Sequence, residues 1–297
     1  MILLIILLAI LVVVAIAAFV LVGGMRTRGQ VERALNMSLF LIRVPREAPT
    51  TSGGQQRPEK ELIAISEQLL AGFSNIHSKG WNKFIYGEPY VALEMAVHHI
   101  GEETHFYVAV PKSNEDIIEK QIYGLYPTAE VSKAKDYNIF NPQGAMAGAY
   151  LSYNNYPILP IKTYQKMETD PIGGILTAMS KLQAEGEGAA LQVLIRPSHA
   201  DSQKSLAVKV SREMQSGYQF KEALQRATHP SKPKTPDPNK PPEPERPKVV
   251  TPADEEIIKA ISGKASKQSF DVNVRLVASA PSAIRAQQIL QGFGGAF

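Results

Sequence analysis

The densest hydrophobic pattern lies at the start of the chain. From Met1 to Val22 (MILLIILLAILVVVAIAAFVLV) no side chain is charged or polar. As a helix at about 1.5 Å per residue, this run is long enough to cross a hydrocarbon core of about 30 Å. Only a helix satisfies the backbone polar groups of a single segment in that medium. A secretory signal would carry a basic stretch before the apolar core and small residues at a cleavage site. Here Met1 abuts the apolar run and Gly23-Gly24-Met25 follows it, so residues 1–24 read as a retained anchor. Arg26, Arg28 and Arg33 follow the run, with nothing basic before it except the α-amino group. The positive-inside bias predicts a single-pass protein of the cell inner membrane, with its bulk cytoplasmic from Met25 onward.

Beyond the anchor the pattern alternates between helical and strand periods. Val31–Leu41 (VERALNMSLFL) is amphipathic, and either lies along the membrane surface or opens the next domain. Pro45–Pro58 has the composition of a tether, so residues 25–58 form a juxtamembrane segment and linker. Residues 59–165 read as a first α+β half. Leu62, Ile63, Ile65, Leu69, Leu70 and Phe73 recur at helical spacing from Glu59 to about Ile76. Val91, Leu93, Met95 and Val97 then alternate with polar or small residues, Gly101–Thr104 turns the chain, and Phe106, Val108 and Val110 alternate on the return. That is a β-hairpin with one buried face. Ser113-Asn114-Glu115-Asp116 predicts a capping box for a helix faced by Ile117, Ile118, Ile122 and Leu125. Strands are expected at Ala129–Val131, Ala147–Tyr153 and Ile158–Tyr164.

Residues 166–227 and 253–297 read as a second half. Asp170-Pro171 starts a helix running to Gln183, Ala190–Ile195 is a buried strand, and Ser202–Ala227 is helical with a break at Gly217. Thr228–Pro252 is Pro-rich and charged, without the apolar content to bury a core, which predicts a disordered linker. Ala253–Lys267 is a helix, Phe270–Ser279 a strand and Pro281–Phe293 a helix. An internal echo links the halves: strand, Pro-Ser, helix, then glycine-aromatic. It runs from Phe106 through Pro111 and Ser113 to Tyr126, and again from Val274 through Pro281 and Ser282 to Phe293. The expected fold class is therefore α+β: an N-terminal transmembrane helix, two similar antiparallel-sheet-plus-helix halves, and a Pro-rich disordered insertion. The first copy continues into the strand at Ala129. The second reaches Phe297 where its counterpart would begin, so the second half is expected to be incomplete, with an unpaired edge on the Phe270–Ser279 strand.

Composition narrows the chemistry. The 297 residues include no cysteine, which excludes disulfides and thiolate metal sites. A formal net charge of +4 is too small to argue for nucleic acid. Gly263-Lys264-Ala265-Ser266 resembles the end of a phosphate loop, but Ala265 follows the lysine and Ile258 occupies the position of the first glycine. A helix end with a basic last turn explains it. His98 and His105 fall diagonal to each other on the polar face of the hairpin, His99 on the Val97 face, and Glu94 a step away. Two imidazoles fall short of the three or four ligands of a zinc site, and polar-face histidines are the simpler reading. Trp81, Tyr86 and Tyr90 read as a packing corner. There is no Gly-x-Ser-x-Gly elbow, and Gly173-Gly174 and Gly186-Glu187-Gly188 lack a dinucleotide fingerprint. No catalytic, cofactor-binding or metal residue is assigned, no cofactor is expected, and the chain reads as a non-enzyme.

Several stretches together resemble a family of membrane-anchored bacterial proteins built on an uncharacterised domain: Ala92–Glu103 with Phe106–Pro111, Ile122–Val131, Tyr137–Asn141, Pro160–Tyr164 and Leu182–Ala190. In that family the region typically precedes a hexameric motor similar to conjugative type IV secretion and coupling ATPases. The resemblance implies a non-catalytic, membrane-tethered module that positions or oligomerises a motor ATPase at the cytoplasmic face. Its implied partners are membrane lipid, further copies of itself and a motor in cis or in trans, with nucleic acid contacted only indirectly. This chain departs from the full pattern in having no Walker motif, so ATP hydrolysis does not carry over. The alternative is a stand-alone envelope scaffold or adaptor with no motor.

Overall fold

The computed structural model describes residues 2–45, 59–101, 103–164, 166–167, 170–183, 185–198, 201–229 and 250–295. The tether proposed for 45–58 and the disordered insertion proposed for 228–252 fall almost wholly outside them. The described chain divides into two compact units, one built from residues 1–150, 171–197 and 271–297, the other from 151–170 and 198–270.

The first unit opens with α1 (Ile2–Leu35). This single helix is long and apolar enough to cross a membrane, with a mean hydropathy of 3.6 over its most apolar window. It does not stop where the apolar run stops, but continues for a further three turns or so to Leu35. The amide of Asn36 closes it by bonding the carbonyls of Glu32 and Arg33, and β1 (Met37–Arg43) begins at once. Val31–Leu41 is thus no separate surface helix. Its first half ends α1, and its second half enters the sheet with Ser38 and Phe40 buried.

Next come α2 (Glu59–Gly72), which tightens into a 3₁₀ turn at Phe73–Asn75, and the short α3 (Gly80–Tyr86). The hairpin pairs β2 (Val91–Val97) with β3 (Thr104–Pro111), Val97 opposite Thr104 and Glu94 opposite Tyr107. After a 3₁₀ turn at Lys112–Asn114, α4 (Glu115–Leu125) runs to β4 (Glu130–Lys133). The expected capping box is absent. The 3₁₀ turn moves the helix start on to Glu115, the Ser113 hydroxyl bonds Asn114, and Glu115 accepts from Ser38 (2.5 Å) and Lys133 (2.6 Å). β5 (Ala145–Tyr150), α5 (Pro171–Met179) and β6 (Gly188–Pro197) follow.

The chain then contributes α6 (Asp201–Gln215), α7 (Phe220–Thr228) and α8 (Pro252–Ser266) to the second unit. It returns to the first with β7 (Phe270–Ala280) and α9 (Ala283–Gly294). Gly217, at φ 86°, makes the expected break between α6 and α7. α8 is capped as its sequence requires: Thr251 Oγ1 accepts from the Asp254 amide, the Asp254 side chain accepts from the Thr251 amide, and Pro252 opens the helix.

The protein is α+β, and among the described residues its strands form one seven-stranded antiparallel sheet in the order β4-β1-β3-β2-β6-β7-β5. Here the two halves read from the sequence meet. Each supplies its strand–Pro–helix pair, β3–α4 and β7–α9, but β2 and β6 pair with each other across seven residue positions, so the halves share a sheet. Their helices differ at the cap as well: Ser282 caps α9 by accepting from the Arg285 amide, as expected, whereas Ser113 does not cap α4. β7 has no free edge, because β5 pairs with it from Ala145↔Ala280 to Tyr150↔Arg275. β4, the counterpart of the strand expected beyond Phe297, pairs with β1 and not with β3.

The second unit is helical. Val210, Met214, Ala223 and Ile261 form its buried core, with Ile158 and Leu159 packed against it. Ile158–Tyr164, expected as a strand, is irregular. Pro157 and Pro160 remove two donors that a ladder needs, and the carbonyls of Pro157 and Leu159 accept from Lys264 Nζ at 2.5 and 3.1 Å.

Candidate functional site

The sheet face carrying Ala92, Glu94 and Ala96 also carries, by register, His105, Tyr107, Leu41, Ala190 and Gln192. In a two-sided reading this face meets water. In the fold it is covered by the connector that follows β4, whose Ala134, Tyr137 and Ile139 pack on Ala96, Tyr107 and Ala190. The connector can lie so close because Gly188 has no side chain: a Cβ there would collide with the backbone carbonyl of Ile139. Asn138 accepts from the His99 amide, and its carbonyl also meets His99 Nδ1 at 3.0 Å. β2 ends at Val97, so strand alternation no longer governs His98 and His99.

The connector brings four rings into a stack. His105 and His98 lie 4.8 Å apart at 14°, His98 and Tyr137 5.5 Å at 3°, and Tyr137 and Tyr107 4.5 Å at 7°. Beneath them Glu94 accepts from the Tyr137 hydroxyl at 2.5 Å and from Gln192 Nε2 at 2.9 Å. Burial, reinforced by the Glu94 carboxylate, raises the Tyr137 hydroxyl far above the ordinary phenol value, so the phenol stays protonated and donates. Tyr107 is also raised, chiefly by burial. Its hydroxyl lies 2.9 Å from His98 Nε2. Burial lowers the pKa of His98, and the neighbouring His105 and His99 lower it further.

This arrangement is a hydrogen-bonded network in which the polar groups are engaged with one another. Glu94 is hydrogen-bonded through both oxygens and His98 Nε2 is occupied. His105 Nδ1 faces the Glu103 carbonyl at 3.1 Å. Stacked imidazoles direct their lone pairs side by side in parallel planes, where they do not converge on one ion. Among the described residues there is no group of three or more His, Asp or Glu that could hold a metal. His98 and His105 do come together, by ring stacking, although β2 ends one residue before His98. Tyr137 and Gln192 beside them carry no local signal, because they arrive from a connector and from a distant strand.

The other sequence candidates disperse. Gly263–Ser266 forms the last turn of α8, with Lys264 engaged by the two carbonyls described above and near the Tyr153 ring. Gly186-Glu187-Gly188 leads into β6 and carries a buried ion pair: Glu187 accepts from Arg285 Nε (2.6 Å) and Nη2 (3.0 Å) and from the Gln183 amide (2.9 Å). A shallow cleft of about 460 Å³ lies between α6 and α8, lined by Ser211, Arg212, Gln215, Ser262 and Ser266 among others. Trp81 is exposed, and so is no packing corner.

The most informative geometry is at the base of α1. Gly29 lies against α3 so closely that a Cβ would meet Ile85 Cγ2 and the Ile85 carbonyl oxygen at 2.8 Å. The Arg26 guanidinium sits 5.4 Å from the centre of the Phe84 ring and that of Arg33 5.3 Å from Tyr90, while Arg33 Nη1 donates to the Glu88 carbonyl at 2.5 Å. The helix bearing the apolar run is therefore built into the domain that follows it.

No curated protein and no solved structure matches this sequence. Residues 54–297 match the family described as Domain of unknown function (DUF8128), a span that takes in all the stretches carrying the family resemblance, and the protein belongs to that family.

Proposed function

We propose that this protein is a non-catalytic, membrane-tethered platform that holds a partner at a fixed position against the cytoplasmic face of the inner membrane. The observation that carries the reading is the continuity of α1. It leaves the apolar run unbroken, docks on α3 through Gly29, and passes through one residue into β1, which is paired on both sides. A flexible tether would leave the domain free to diffuse around its anchor, whereas this join fixes the sheet relative to the span. Arg26, Arg28 and Arg33 set the cytoplasmic orientation.

The resemblance supplies the partner. It is a motor ATPase of a type IV secretion or conjugation-like machine, in the same polypeptide or another, on a platform that self-associates. Nucleic acid is then a cargo of the machine and not a ligand of this domain.

Two measurements test the reading. Protease added to intact spheroplasts should leave the soluble part whole, and digestion from outside would overturn the orientation. Cross-linking in cells that naturally make the protein, followed by affinity capture and mass spectrometry, should enrich a motor ATPase. Capture of envelope proteins with no ATPase among them favours the stand-alone scaffold.

A further inference from the structure

We infer that α3 is an interfacial membrane-binding element, with Trp81 and Phe84 seated at the headgroup level of the bilayer that α1 crosses. The inference rests on the reading of α1 as a spanning anchor.

α3 is seven residues long and buries none of them. Trp81 is 74 % exposed and Phe84 44 %. Their rings meet edge to face at 5.7 Å, so they form one continuous aromatic surface. Its height above the membrane follows from three contacts. Arg26 meets Phe84, Gly29 meets Ile85, and Arg33 meets Gly87, Glu88 and Tyr90. Both chains advance in the same sense, so the N-terminal end of α3 points back toward the apolar run. Arg26 is four residues beyond Val22, or about 6 Å along the helix. Trp81 precedes Phe84 by nearly a turn, about 4–5 Å nearer the membrane. The tryptophan thus lies level with the end of the apolar run, and the phenylalanine within the interfacial layer, which is about 5–8 Å deep on each side of the hydrocarbon core.

That depth is where amphipathic aromatic rings concentrate in membrane proteins, their bodies in the acyl boundary and their polar edges among the headgroups. The charges agree. Arg26 lies over the Phe84 ring, and Arg28 stands half a turn beyond it, placing guanidinium groups beside lipid phosphates. A lipid surface also accounts for why so large an apolar pair stays uncovered by the described residues of the domain. α1 and α3 would then hold the domain at two points and fix its tilt.

Trp81 is the only tryptophan, so its emission reports this site alone. The full chain is reconstituted in phosphatidylcholine–phosphatidylglycerol vesicles, and flotation with resistance to carbonate extraction establishes that α1 is inserted. Emission is then compared in lipids brominated near the carbonyl end or near the methyl end of the acyl chain. Trp81 should be blue-shifted, and quenched most by bromine near the carbonyl end. A Trp81→Phe/Phe84→Trp variant should behave alike. A Trp81→Phe/Tyr150→Trp variant serves as the control, since Tyr150 is equally exposed but lies on β5, five strands from β1; it should be quenched several-fold less. Inserted protein whose Trp81 is no more quenched than the Tyr150 reporter would overturn the inference and leave the anchor intact. Failure to float would overturn both.

Discussion

The buried pair Glu187–Arg285 offers the most direct test of how α9 is held to the sheet. Glu187 lies just before β6, and its side chain is 2 % exposed. Three donors converge on its carboxylate, two from Arg285 in the first turn of α9 and one from the Gln183 backbone. Arg285→Met removes the two charged donors and leaves a desolvated carboxylate with a single amide. Breaking a buried pair from one side costs about 3–5 kcal/mol. The Arg285 side chain is 39 % exposed, so the pair is partly screened and water reaches the truncated site, which places the loss near the lower end, about 3 kcal/mol. At about 2–4 °C per kcal/mol for a domain of this size, Tm should fall by about 6–12 °C. Circular dichroism of the full chain in detergent micelles reads this. Because the chain has two units, hydrogen exchange at β6 and α9 should confirm that the loss is local. The Glu187→Leu/Arg285→Met double variant should recover part of it, since two apolar partners leave no buried charge. Its residual cost is the Gln183 amide left without an acceptor, about 1–3 kcal/mol. The pH dependence has a definite sign. Arg285, with the Gln183 amide, holds the Glu187 carboxyl below its ordinary value of 4.5. Its contribution is therefore present above 4.5 and lost as the pH falls through the folded value. In Arg285→Met, burial favours the protonated acid, so the gap between variant and wild type should narrow on acidification. A single variant within about 1 kcal/mol of wild type at neutral pH would refute the argument, because a buried, unpaired carboxylate cannot be that cheap.

Two further predictions concern the ring stack and the anchor. The folded pKa of His98 lies below its unfolded value of 6.5, so its neutral form stabilises the fold above 6.5 and that stability is lost as the pH falls through the lower folded value. His98→Gln should flatten this part of the stability–pH curve measured by denaturant titration, and an unchanged slope between neutrality and the carboxylate range would rule out His98 as its source. Gly29→Ala places a methyl group against the Ile85 carbonyl, a backbone atom that cannot rotate away. At about 1–3 kcal/mol for overpacking, exchange of the α3 amides should quicken by about 5–150-fold; unaltered exchange would mean that α1 and α3 are not in contact.

What local forces decide could be read directly from the residues. The uncharged run from Met1 to Val22 required a helix, the alternation across Val91–Val97 and Phe106–Val110 required a hairpin, and Asp170-Pro171, Gly217, Thr251-Pro252 and Ser282 marked helix ends, because propensity, capping and period act within a few residues. Periodicity states which face of an element is buried, but not what buries it, and there the tertiary structure took over. Ser113 had the spacing of a cap, yet a 3₁₀ turn and the demand of Ser38 and Lys133 for Glu115 displaced it. Ile158–Tyr164 had the apolar content of a strand, but the carbonyls of Pro157 and Leu159 went to Lys264 and the side chains of Ile158 and Leu159 to a helical core. The echo between Phe106–Tyr126 and Val274–Phe293 described a repeated strand–helix plan, while the union of both copies in one sheet depended on β2 pairing with β6, about a hundred residues apart in the register. Tyr137 and Gln192 joined the histidine face only through such long-range pairing. The exposure of Trp81 likewise emerged only once α1 and α3 had docked, since one tryptophan in a short segment has no period from which its surroundings could be read.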